Sequence, residues 1–229
     1  MLHHDRLEIR VDLREQGPVS GHPLRRTVQG LGAVVLCARV ALAAQGWAVQ
    51  VDRLPRPDDP ELLAILRPAA GAPEAGLAPL AALASAGPLR GRRPRVRPLP
   101  PGLLQRLGRV AALEDSLLVP VTSDAARELV EQLDHEASSI LGRGPGEGTV
   151  DPRPADTAQG ALLLLTTMED DELAWLRSGE AMERVLLGLA RESRFASLVT
   201  EVLDVPFLRT RVRSGLCWPD HPQALIRVG

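Results

Sequence analysis

The chain has no lysine, no tyrosine and no asparagine, so all 27 of its basic residues are arginine. Schiff-base chemistry, a lysine on phosphate and a tyrosine acid are thereby excluded. Aromatic residues are scarce, with two Phe and three Trp, so few rings are available to stack on a planar cofactor or on bases. Cysteine is limited to Cys37 and Cys217, and at 229 residues the chain can bury a core without disulfides. Apolar runs such as Leu31 to Leu36 and Gly160 to Leu165 are short, and no secretory leader pattern opens the chain. A cytoplasmic protein with no membrane partner is expected. The net charge of −2 and pI of about 6.2 argue against a nucleic-acid partner held by phosphate neutralisation.

Neither G-x-S-x-G, G-x-x-x-x-G-K-[ST] nor a G-x-G-x-x-G opening a helix occurs, which removes the hydrolase elbow, the P-loop and the dinucleotide fingerprint. Cys217 and His221 are four apart, and His3, His4, His22 and His135 form no second pair, so no metal site is expected. The run RGRRPRVR from Arg90 to Arg97 has no interleaved rings and reads as an arginine-rich arm, in keeping with the Ala, Gly, Pro and Arg bias of a GC-rich coding sequence.

What is present is an alternation of two periodicities. Arg6 to Val11 and Ala48 to Leu54 alternate polar and apolar residues as half-buried strands do. Between them Val28, Leu31, Val35, Val40 and Leu42 recur at helical spacing, with Gly32 and Ala33 allowing close approach and Gly46 as a stop. A short helix is expected at Glu61 to Leu66, then a Pro/Ala/Arg-rich linker over 68–101. Further on, the pattern predicts a helix at Leu103 to Leu113, a strand at Ser116 to Thr122, and a helix capped by Ser123 or Asp124 that runs to about Leu141. A glycine- and proline-rich loop, GRGPGEGTVDPRP, interrupts the chain from Gly142. Ala161 to Leu165 reads as a buried strand, Glu169 to Glu172 as acids at the positive end of a helix reaching about Glu192, Pro206 to Arg213 as a short helix, and Gln223 to Val228 as a last strand.

Two passages carry a specific resemblance. GALLLLTTMEDDELAWLRSGEAMERVLLGLA (Gly160 to Ala190) and HPQALIRVG (His221 to Gly229), joined by the V-P-x-L-R turn, resemble the C-terminal half of nitroreductases of the Acg branch. DRLEIRVD and VDRLPRPDDPELLA resemble the family's N-terminal passages. The resemblance implies an α+β, nitroreductase-like fold of tandem halves, a central sheet flanked by helices, with FMN where the halves meet. It divides the chain into an N-terminal half at 1–67, the linker or arm at 68–101, and a C-terminal half at 102–229.

Two departures go with it. The family's opening helix with an H-N-x-Q-P-W segment has no counterpart before DRLEIRVD, and a helical passage near the flavin is replaced by GRGPGEGTVDPRP. RRPRVRPLP, from Arg92 to Pro100, stands where the family has R-x-T-N-R-x-P-F.

By position, the resemblance implies flavin contacts from Arg227, Ser197, Thr200 and Arg25. The simpler reading of Arg227 is solvation or an internal ion pair, and of Arg25 a solvated residue at a helix start. The implied function is that of an FMN-dependent oxidoreductase that reduces a nitro, quinone or related acceptor. The alternative is a degenerate homologue that acts as a binding or partner subunit, as a homodimer or with another protein.

Overall fold

The computed structural model of the chain describes residues 5–12, 23–86, 98–141 and 160–229. The arginine-rich run, the Gly142 loop, His3, His4 and His22 lie outside the described residues. Among those described, the order is β1 (Leu7–Arg10), α1 (Pro23–Ala44), β2 (Ala48–Arg53), β3 (Leu62–Ala69), a 3-10 turn (Ala78–Leu80), α2 (Ala81–Ala86), α3 (Pro101–Ala112), β4 (Leu117–Val121), α4 (Asp124–Ile140), β5 (Ala161–Thr167), α5 (Glu172–Arg191), β6 (Ala196–Val199), α6 (Glu201–Asp204), α7 (Pro206–Val212), a π-type turn (Arg213–Cys217) and β7 (His221–Val228). The fold is α+β, with two antiparallel sheets ordered β1-β3-β2 and β4-β5-β7-β6.

The helix expected at Glu61 to Leu66 is a strand. Leu62 to Leu66 are all buried, and β3 is the middle strand of its sheet, with Val51 opposite Leu66 on one side and Leu7 on the other. A strand buried on both faces shows an unbroken apolar run, and so short a run carries no periodicity to tell it from a helix. β6 is also absent from the expectation, four residues whose register is set by β7: Ser197 lies opposite Arg227 and Val199 opposite Leu225. Thr166 and Thr167 end β5, and α5 is capped by Asp171, which accepts a bond from Ala174 N at 2.8 Å. Ser123 caps α4 through Ala126 N, as its position predicts. Residues 68–86, in the expected linker, contain the end of β3, the 3-10 turn and α2, with Leu77 and Leu80 buried.

β5 and β7 are adjacent in one sheet, with Leu164 opposite Leu225. Both faces of that sheet are covered. Leu162, Leu164, Val199 and Leu225 pack against Val130, Leu133 and Ala137 of α4. On the opposite face Leu163, Leu165, Ile226 and Val228 pack against α3 and the second half of α5 through Leu107, Val185 and Leu189. Leu176, near the start of α5, belongs instead to the core of the three-stranded sheet with Ile9, Val28, Val35 and Leu63. A single helix therefore contributes to both cores.

At the α1–α5 crossing the two backbones approach closely. A methyl on Gly32 would fall 2.0 Å from the carbonyl oxygen of Leu176, and one on Gly179 would fall 2.0 Å from that of Gln29. Only residues without a Cβ fit there. Contacts advance together along both helices, Gln29 with Ser178 and Cys37 with Glu183, so the two run side by side in the same direction. Leu24–Ala44 is long and apolar enough, by length and composition alone, to cross a membrane. In this fold it is a core helix: Val28, Val35, Leu36 and Val40 are fully buried, and Arg25 and Arg39 are tied into the protein.

Candidate functional site

The residues that carried the sequence resemblance converge on Asp170. Arg209 clamps its carboxylate with two bonds of 2.7 Å, Trp175 Nε1 donates at 2.7 Å and Gln223 Nε2 at 3.2 Å. Burial alone would raise this carboxyl, but the bonds from Arg209 and Trp175 overcome it and hold Asp170 far below the usual carboxylate range. The sequence supplied only a dipole argument for the acids at 169–172. The structure divides their work: Asp171 caps the helix, and Asp170 fastens α5 to α7 and β7.

Arg25 belongs to the same junction. It is 2% exposed, and its Nη1 donates to Gln29 Oε1 at 2.9 Å and to the Gln223 carbonyl at 3.1 Å. Its Nη2 reaches the Leu203 carbonyl at 3.1 Å and Asp204 Oδ1 at 3.3 Å. Burial and the neighbouring Arg209 pull its pKa down to about 10. The expectation of a solvated helix-start residue is corrected: this guanidinium is an internal cross-link that ties α1 to the backbone carbonyls of Leu203 on α6 and Gln223 on β7, the latter shared with Gln29 Nε2. Gln29 completes the link, with Nε2 donating to Ser178 Oγ at 2.9 Å.

The other residues implied by resemblance lie elsewhere. Ser197 and Arg227 are cross-strand partners at the β6–β7 margin, and Thr200 immediately follows β6 as the residue before α6, with no capping bond from its hydroxyl. Arg227 shares a face with Leu225, toward α4, where its charge acts on the half-buried Asp134. Arg25 meets β7 at Gln223, four residues away, about 13 Å at the ordinary rise of a strand. Ser197 and Arg227 are thus brought together, Thr200 lies three residues further along the chain from Ser197, and Arg25 is not part of the group.

A second polar cluster lies further along α1 and α5, unseen in the sequence. Arg39, Arg53 and Arg184 interleave with Glu74, Glu114 and Glu180. Arg53 holds Glu180 through two bonds of 2.6 and 2.8 Å, and Arg184 bridges Glu114 at 2.6 Å and Glu74 at 2.7 Å. Glu180 is completely buried and Glu114 nearly so. Burial would lower Arg39, but the three glutamates reverse that and hold it firmly protonated. A cavity of about 180 Å³ opens beside this cluster, between Arg39, Arg53 and Glu74 and the apolar Val49, Val51 and Leu77. That is smaller than the roughly 300–1,000 Å³ of a typical small-molecule pocket.

Nucleophilic chemistry from cysteine finds no support in the geometry. Burial pushes both thiols up, Cys37 beside Glu183 and Cys217 near Asp220, each to about 11. Among the described residues no group of three or more His, Cys, Asp and Glu could hold a metal ion.

Two Mycobacterium tuberculosis proteins named as NAD(P)H nitroreductases are similar to the chain over about nine-tenths of its length. One, Rv3131, is 30% identical over 254 residues, covering 90% of this chain and 71% of its own length. The other, acg, is 27% identical over 251 residues, covering 91% and 75% respectively. No protein-family model matches the chain. Solved structures with partial likeness include a nitroreductase with bound FMN from Bacteroides fragilis, at 13% identity over 60% of this chain and 82% of that one with a TM-score of 0.42. Another is an FMN and NADPH-dependent nitroreductase from a Sphigopyxis species, at 17% identity over 65% and 86% with a TM-score of 0.44.

Proposed function

Since this chain belongs to the NAD(P)H nitroreductase family, we propose that it works as an FMN-dependent oxidoreductase, passing reducing equivalents from a nicotinamide to a nitro, quinone or related small acceptor. The observation that carries this reading is likeness along nearly the whole chain to a relative named for that activity, with the junction at Asp170 built from the residues that carry the likeness. Bound flavin would supply the two-electron chemistry, and the protein's part is orientation and electrostatics.

The donor set at the β6–β7 margin suits a phosphate. Arg227 offers a guanidinium, the group best matched to phosphate oxygens, and Ser197 and Thr200 offer hydroxyls on adjoining backbone. Arg25 does not suit one. Its two Nη groups already meet four acceptors in a buried site, and turning them toward a ligand would give up all four of those bonds. Arg227, Ser197 and Thr200 are therefore the residues assigned to bind and orient the cofactor, and Arg25 to hold the two sheets in register.

That same observation about Arg25 favours a second reading, in which the chain has given up tight flavin binding and serves as a partner subunit. Purified protein that co-elutes with flavin absorbance, and that oxidises NADH or NADPH in the presence of a quinone or nitroaromatic, supports the first. Protein that is colourless, ignores added FMN and elutes with another protein supports the second.

A further inference from the structure

Independent of the flavin reading, we infer that the cavity beside Arg39 and Arg53 is a carboxylate-binding site occupied in cis by the chain's own Glu74, and that it accepts a small aliphatic monocarboxylate when Glu74 leaves. Three features carry this. The first is charge. With Glu74 in place, three guanidiniums face three carboxylates and the cluster is neutral; without it, Arg39 and Arg184 keep one uncompensated positive charge in a buried setting, where an anion is required.

The second is that Glu74 is held unlike its two counterparts. Glu114 is buried just past the end of α3 and Glu180 on α5, whereas the Glu74 side chain is 38% exposed and stands in an irregular stretch between β3 and the 3-10 turn. Glycines in the left-handed region flank it, Gly71 at φ 107° and Gly76 at φ 89°, and these are the positions at which a short strap can swing with least steric cost. Its carboxylate is a tethered ligand for Arg39 and Arg184 rather than a part of the rigid frame. The bonds to those arginines hold Glu74 below its usual range against the opposing effect of burial.

The third is the space. The cavity is lined by Glu74 itself, by Arg39, one of the two arginines that Glu74 neutralises, and by Arg53, and its remaining wall is apolar, from Val49, Val51, Ala43 and Leu77 with Trp47 at the half-exposed rim. A ligand with a carboxylate at one end and a short hydrocarbon body meets both parts. Formate meets only the charge, and butyrate meets the wall as well.

The test is rescue of Glu74→Ala by carboxylates of increasing length, read as thermal unfolding of the full chain at constant ionic strength with chloride as the control. The substitution is expected to lower the Tm by about 3–6 °C. Formate, acetate, propionate and butyrate are expected to restore it saturably, with half-saturating concentrations falling roughly threefold per methylene as the apolar wall is covered. The unaltered chain responds only at concentrations at least tenfold higher, because Glu74 competes. Val49→Phe in the Glu74→Ala background fills the cavity and removes the dependence on length. Should Glu74→Ala not fold, Glu74→Gln keeps the side chain's volume while removing its charge, and is read the same way. A Tm equal to that of the unaltered chain, or recovery no greater than with chloride, overturns the inference.

Discussion

The two buried polar clusters on the α1–α5 pair make an instructive contrast. Before the Gly32–Gly179 crossing, Arg25, Gln29, Ser178 and Gln223 join through amides, a hydroxyl and backbone carbonyls. Beyond it, Arg39, Arg53 and Arg184 are met, among the described residues, by carboxylates. The first cluster is directional, since each donor has one geometry in which its acceptor is met, and so it sets how α1, α5 and β7 register. The second is a charge ledger that tolerates small shifts yet suffers heavily from the loss of one member, because the charge left behind is buried. Register comes from one cluster and electrostatic balance from the other.

The largest expected effect falls between them. Gly179→Val drives a side chain into the Gln29 carbonyl and should separate both clusters at once, costing more than ~4 kcal/mol; loss of a cooperative unfolding transition would show it. Glu180→Gln leaves Arg53 and Arg39 short of a charge in a fully buried place and should cost about 3–5 kcal/mol by denaturant titration. Arg25→Met removes one cation and its bonds to mostly neutral acceptors, while Gln29 still meets the Gln223 carbonyl and Arg26 still meets Asp204, with about 2–3 kcal/mol expected. If Arg25→Met proves costlier than Glu180→Gln, the contrast between the clusters fails.

The pH dependence sharpens the same comparison. Asp170 and Glu74 have folded-state pKa values below their unfolded ones, so each contributes stability that is present above the unfolded pKa and is lost as pH falls through the folded one. Asp170, the more strongly depressed and tied to the directional cluster, should keep contributing to lower pH than Glu74. In acid titrations followed by unfolding, Asp170→Asn should flatten the most acidic part of the curve and Glu74→Gln a part closer to the ordinary glutamate range.

Most of the regular elements were legible in the sequence. Leu31, Val35 and Leu42 announce α1, Ser123 announces the start of α4, and the alternation of Ala48 to Leu54 announces β2. β3 was not, because a strand covered on both faces loses the alternation by which strands are read. β6 was hidden by its brevity, and only pairing with β7 defines it. The clusters were hidden for another reason: Glu74 and Arg184 are 110 positions apart, and Arg25 and Gln223 198, so nothing in local spacing joins them. Trp175, Arg209 and Gln223 did stand in the passages that carried the family resemblance, yet only the fold reveals that their common target is Asp170.

The smallest effects concern the β6–β7 margin, where Arg227→Ala should leave stability within about 0.5 kcal/mol while weakening flavin affinity about tenfold. The most direct measurement is a titration of FMN fluorescence with the unaltered chain and with Arg227→Ala. Saturable quenching by the unaltered chain, shifted tenfold to higher protein concentration in the variant, is the predicted result. Flavin emission unchanged by the unaltered chain at any concentration would contradict the assignment of this fold to flavin chemistry.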